Sequence, residues 1–301
     1  MNITPDRHLF TPQEPEVRYV ADPDGLDGDV DWKAACAFPN RAVVALSAIL
    51  QREALRLLGQ QGRLFAALVR PLVWLFVFAA GFRAALGLAI TPPYQTYITY
   101  EIYITPGLVG MILLFNGMQS SLSLVYDREM GSMRLLLTAP LPRWWLLTCK
   151  LVAGSLVSVL QAYVFLAVAA AWGIRFPPGG YLAALPAITL AALMVGALGL
   201  VLSSFIRQLE NFAGVMNFVI FPVFFLSSAL YPLWKMAEAW PLLRDVCAVN
   251  PFTHAVELIR FALHAQLEPL ALTVTIVALA VFGAGAIWGY DPARGLAARK
   301  I

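Results

Sequence analysis

ITPGLVGMILLFNGMQSSLSLVYDRE, residues 104–129, decides the fold: no Lys, Arg, Asp or Glu occurs from Ile104 to Val125, and then Tyr126, Asp127, Arg128 and Glu129 follow at once. A helix of about 20 apolar residues crosses a bilayer. Each closing charge would cost about 2.5–3.5 kcal/mol at the bilayer centre. The stretch therefore predicts a membrane span that ends at a water-facing boundary.

Five more spans can be drawn around it, at roughly 66–83, 151–172, 182–205, 212–231 and 269–289. Four of them are free of charged residues. The first contains Arg70 and Arg83, which bracket PLVWLFVFAAGF and are expected to snorkel to opposite interfaces. Composition agrees, with 60% hydrophobic residues in a chain of 301 and a mean hydropathy of +0.72. The expected fold class is all-α, a polytopic membrane protein of six transmembrane helices preceded by an amphipathic connecting helix.

That amphipathic helix is expected over 42–63. Leu46, Leu50, Ala54 and Leu57 share one side, and Arg52, Arg56 and Arg63 fall within about 40° of one another on another. An apolar face beside a basic stripe suits the inner headgroup layer. Residues 1–41 are polar and acidic and are expected to form a flexible tail without a secretory signal. Its stretch DPDGLDGDVD lacks the glycine and closing glutamate of a calcium loop in one register.

With the amino terminus inside, sixteen of the 21 lysines and arginines fall on inner segments. The excess of basic residues marks the cytoplasmic side, so both termini, including the tail 291–301, are expected there. Arg260 is then one of the few outward charges. The loop 126–143 is cytoplasmic. Met130, Met133, Leu136 and Leu137 recur in it at helical spacing, and Pro140 and Pro142 end that helix and pre-set the next. The apolar face of such a rod is covered either by lipid-facing neighbours or by a soluble partner.

The run YDREMGSMRLLLTAPLPR resembles the D-R-E-x-G-T-x-x-x-L-L-x-T-P signature of type-2 ABC exporter permeases. ITPGLVGM, FPVFFLSSALYP and NPFTHAVELIR fall in the family's order, so the resemblance covers about 42–290. Ser227-Ser228 stands where the family usually has Ser-Gly, and His254 where it usually has tyrosine. The closing YDPARGLAARK is similar to a bacterial subgroup found near quinoprotein alcohol oxidation genes.

The resemblance implies a transmembrane permease subunit of the plasma membrane, a bacterial inner membrane, embedded in lipid. In this reading an ABC ATPase subunit docks on the loop, contacting Tyr126, Asp127, Arg128, Glu129, Gly131, Met133, Arg134, Leu136, Leu137 and Pro140. ATP and Mg would sit on that subunit. The permease would pair with a second copy or with a similar chain. Residues 232–268 would re-enter the outer leaflet, with Ser227, Ser228, Tyr231, Pro232, Asn250, Pro251 and Glu257 as outer-gate candidates. A plain interfacial helix is the alternative for that segment.

Asn116, Gln119, Ser120 and Ser123 form one polar stripe in the second span, with Gln161 and Asn217 as isolated amides elsewhere. Such groups either hydrogen-bond between helices or line a translocation route. Chemistry of other kinds has little footing. The chain has no Gly-Lys pair for a phosphate loop, no H-E-x-x-H among its three histidines, and no acidic pair within the spans. A net charge of +3 does not suggest nucleic acid. Cys36, Cys149 and Cys247 are expected to be packing residues without metal or disulfide.

The favoured function is outward movement of an amphipathic or lipid-like passenger, driven by a separate ATPase. The lack of a basic cavity signal points away from a highly anionic one. The alternative is a membrane scaffold or sensor that recruits a soluble partner without transport.

Overall fold

The computed structural model describes residues 38–59, 61–82, 93–94, 98–129, 142–206 and 208–290. The described elements are helices: α1 (Phe38–Gly59), α2 (Gln61–Phe82), α3 (Tyr100–Glu129), α4 (Arg143–Ala171), α5 (Pro178–Phe205), α6 (Leu209–Phe225), α7 (Leu233–Ala239), α8 (Pro241–Val249), α9 (Pro251–Ala262) and α10 (Pro269–Gly289). Proline opens several of them. Pro178, Pro241, Pro251 and Pro269 stand in the first turn, where a missing N–H costs nothing and a fixed φ favours the helix.

Four helices, α3, α4, α5 and α10, are long and apolar enough to cross a membrane. Two shorter apolar segments, Leu68–Val77 in α2 and all of α6, lie where two further spans are expected. The chain is thus an all-helical membrane protein among its described residues.

Helix α3 is the axis of the bundle, packing against α2, α4, α5, α6 and α9. Ile104, Leu108, Leu114 and Met118 along it are fully buried. Close approach comes from small residues. A Cβ on Gly117 would lie 3.1 Å from the backbone nitrogen of Gly196, so α3 and α5 pack nearly backbone to backbone, as small residues permit between membrane helices. At the other end, a Cβ on Gly107 would lie 2.2 Å from the carbonyl oxygen of Ala229.

Three boundaries differ from the sequence expectation. Helix α3 runs on to Glu129, so Tyr126–Glu129 form its last turn. The connecting helix starts at Phe38 and ends at Gly59, and Gln61–Arg63 belong to α2. Helix α6 stops at Phe225 instead of reaching 231, because Leu226 leaves the helical region (φ −89°, ψ 48°). At about 1.5 Å per residue its 17 residues span about 26 Å, short of a bilayer core of about 30 Å.

The turn that follows α6 forms without glycine and without positive φ at Ser227 or Ser228. Ser227 Oγ donates to the Phe224 carbonyl and accepts from Ala229 N–H at 3.2 Å, so its hydroxyl supplies the bend. Arg70 also differs from expectation. Its guanidinium lies over the Phe115 ring, 3.8 Å from the centroid, about 21 Å along α3 from Glu129. An arginine stem is far too short to bring the charge to that end of the bundle.

Helix α1 is tied to α4 by Trp145 Nε1, which donates to the Ala42 carbonyl at 3.2 Å. Val43, Val44, Arg52 and Leu55 of α1 are exposed, while Leu46 and Leu50 are half-buried. The acidic tail with Cys36, the Arg56 and Arg63 side chains, Arg83, Met130 and residues 291–301 lie outside the described residues. Cys149 and Cys247 are buried free thiols.

Candidate functional site

Two ends of the bundle carry the polar groups that matter. At the first, α3 brings Tyr126 to an exposed position and Glu129 to the start of α6, where its Oε2 accepts from Leu209 N–H at 3.2 Å. The first N–H groups of a helix have no internal acceptor, and a carboxylate there is favoured by the helix dipole. The Asp127 and Arg128 side chains, and Gly131, Met133, Arg134, Leu136, Leu137 and Pro140, lie outside the described residues.

In mid-bundle, Asn116 Nδ2 donates to Gln161 Oε1, joining α3 to α4. Their amides are therefore used on each other. Ser123 Oγ turns back to the Ser120 carbonyl at 2.7 Å, and Gln119 is half-buried. Ser120 lines a cavity of about 10 Å³ together with Ser121, Lys150, Ser155 and Ser158. That is room for about one water, and Ser155 Oγ has no partner among the described residues. Asn217 stands apart, exposed on α6.

The second end is built around the short α6. The last carbonyls of a helix lack internal donors, and here side chains from elsewhere provide them. Asn250 Nδ2 donates to the carbonyls of Val223 (2.8 Å) and Leu226 (2.7 Å). Its Oδ1 meanwhile accepts from Phe252 N–H and caps α9. Arg260 Nη2 donates to the Ser228 carbonyl at 2.8 Å, which also accepts from Tyr103 at 3.1 Å. Tyr100 donates to the Leu230 carbonyl at 2.8 Å.

Arg260 is only 2% exposed, although the sequence reading counts it as an outward charge. It pairs with Glu257 through Nη1 and sits over the Tyr103 ring at 4.1 Å. Burial, the largest single influence, would lower its pKa, but the Glu257 carboxylate and its hydrogen bond, together with Tyr103 and Tyr94, jointly outweigh that and raise it, so the guanidinium stays charged. Burial also pushes the Tyr94 hydroxyl up to about 12, against the charge of Arg260. Tyr94 OH, Ser228 Oγ and Arg260 Nε are buried without hydrogen-bond partners among the described residues.

The structure thus brings Ser228, Asn250 and Glu257 into one cluster with Tyr94, Tyr100, Tyr103 and Arg260, none of which the sequence reading selects. Pro251 enters as the first residue of the capped helix α9 and Pro232 as the N-cap residue of α7. Tyr231 is half-buried and packs on the apolar core. The available signal was the Glu257–Arg260 spacing: a charged pair at i, i+3 on a largely apolar helix. His254 and His264 do not meet. His254 Nε2 donates to the Ala248 carbonyl, and the His264 ring packs edge-on to Tyr94 and Phe176.

Residues 44–264 match the model of a family described as ABC-2 type transporter. A transport permease, ycf38, of Porphyra purpurea is 27% identical over 222 residues, 72% of each chain. The ycf38 permease of Cyanophora paradoxa is 28% identical over 200 residues, 66% of this chain and 67% of that one. A multidrug ABC transporter permease, YbhR, of Escherichia coli K12 is 30% identical over 168 residues, covering 55% of this chain and 44% of the relative.

Proposed function

The chain belongs to the ABC-2 type transporter family, as the transmembrane subunit of an ABC transporter, and we propose that it moves an amphipathic or lipid-like passenger outward. A separate ATPase docks on the loop after α3. The match of residues 44–264 carries this reading, because it spans the helix that leads into the loop. Both termini face the cytoplasm, by the distribution of basic residues, and the membrane is taken to be a bacterial inner membrane. ATP and Mg sit on the partner.

The route runs between two copies. A cavity of about 10 Å³ inside one copy suits a single water. Asn217 lies exposed midway along α6, the one polar side chain between Phe212 and Phe225, where an amide against lipid is unfavourable and a second copy would cover it. Closure of the ATPase pair pushes the loop, and the end of α3 passes the movement to α6 through Glu129. The outer cluster around Arg260 closes the far end until then. Such a change needs a two-state element biased by nucleotide.

The test is co-purification with an ATPase encoded alongside it, followed by ATP hydrolysis and amphiphile movement in vesicles. Leu136→Asp should abolish hydrolysis-coupled movement while leaving the permease folded. Normal coupling in that variant, or a recruited partner without nucleotide chemistry, would favour the scaffold reading.

A further inference from the structure

Arg70 is a cation on the face of α2 at mid-bundle level, with no acid paired to it among the described residues. The Phe76 ring meets Trp172 just past the end of α4, and the Trp74 ring meets Phe225, the last residue of α6. Arg70 lies about one turn further into the bundle than Trp74. Its guanidinium rests on Phe115, midway along α3. The residue is exposed on the surface of the single chain, and among the described residues it forms no ion pair.

The expected spans of a second copy offer it no carboxylate. No Asp or Glu occurs from Leu64 to Tyr100 or within any of the six expected spans. Intramembrane cations persist where they face a partner or a wet pathway, and a guanidinium on an aromatic face is oriented to bind an oxyanion with its free edge. With no carboxylate offered by those segments, a molecule outside the protein is the counter-charge that fits this position. Depth separates its possible sources: a resident lipid keeps its headgroup at the interface, whereas an amphiphile in transit carries it past this level.

We propose that Arg70 and Phe115 form a binding site for the anionic headgroup, phosphate or carboxylate, of the amphiphile being moved. This rests on the transport reading above and revises its passenger from amphipathic to anionic amphipathic.

The first arm of the test needs no transport. Purified permease is photo-crosslinked with a headgroup-reactive phosphatidylglycerol and the adducts are mapped. Adducts on α2 and α3 are expected, reduced roughly tenfold in Arg70→Gln and partly retained in Arg70→Lys. The second arm uses the complex with its ATPase in phosphatidylcholine vesicles and follows fluorescent phosphatidylglycerol against phosphatidylcholine of the same chains. ATP-dependent movement of the first, lost in Arg70→Gln, is expected. Phe115→Leu serves if Arg70→Gln does not fold, and should weaken cross-linking several-fold.

Unchanged cross-linking in both variants would overturn the site. Cross-linking at Arg70 that ATP turnover never diminishes would make the occupant a resident lipid and overturn the passenger assignment. If wild type cross-links but moves no amphiphile of either charge, the transport reading fails and the anion site stands.

Discussion

The Glu129 carboxylate accepts a hydrogen bond from the backbone N–H of Leu209 at 3.2 Å, joining the last turn of α3 to the first turn of α6. The two residues are far apart in the chain, and the bond makes one mechanical unit of the loop's start and the fifth apolar segment. Replacing the anion with a cation at a helix N-terminus costs about 0.3–1 kcal/mol at an exposed site. Glu129→Lys should lower transport per ATP about two- to fivefold, the equivalent of that cost. Glu129→Gln keeps an acceptor and should retain most coupling. Equal coupling in all three proteins, measured as passenger moved per phosphate released, would exclude this strut.

The Asn116–Gln161 pair can be tested by a double-mutant cycle in detergent. Each single change to leucine leaves one amide without its partner, at a cost of about 1–3 kcal/mol. Asn116→Leu/Gln161→Leu should be less destabilised than the sum of the singles, by about 0.6–1.7 kcal/mol. Strict additivity would mean that the amides act independently, as two route-lining groups would.

Gly107 and Gly214 make a matched contrast. A Cβ on Gly107 would come within 2.2 Å of the Ala229 carbonyl oxygen, while one on Gly214 meets nothing within 4 Å. Gly107→Ala should therefore destabilise by about 1–3 kcal/mol as the turn after α6 is pushed off α3. Gly214→Ala should be neutral or stabilising by up to about 1 kcal/mol. Thermal unfolding of the two variants side by side decides it.

His264 predicts a pH dependence. Its pKa is lowered, first by burial and also by the charge of Arg260, while its bond to the Arg260 carbonyl works the other way. The unfolded chain, with an ordinary value of about 6.5, binds the proton more readily than the folded one. The stability contribution is full above about pH 6.5 and is lost as pH falls from there through the lower value of the folded chain. Melting temperature should drop between neutral and mildly acidic pH, and His264→Asn, which keeps an N–H donor, should flatten the drop.

Much of this architecture was legible in the chain. The apolar runs locate α3, α4, α5 and α10, and Asn250-Pro251 marks the start of α9, because a cap and a first-turn proline act within a few residues. The polar stripe on α3 was visible as well, but its meaning was not. Asn116 turns out to face Gln161, and no pattern local to either residue encodes that choice.

What the sequence determined by itself was solvent and class: a bundle of apolar helices in lipid, since a span needs only a long enough local run to bury its own backbone bonds. Tertiary structure decided the fate of the charges. Arg260 is buried because Ser228, 32 residues earlier, presents a carbonyl that α6 is too short to satisfy. Arg70 rests on Phe115 because α2 and α3 pack together there. Whether a buried charge finds a partner depends on segments distant in sequence meeting in space, and the periodicity of one helix carries no record of that meeting.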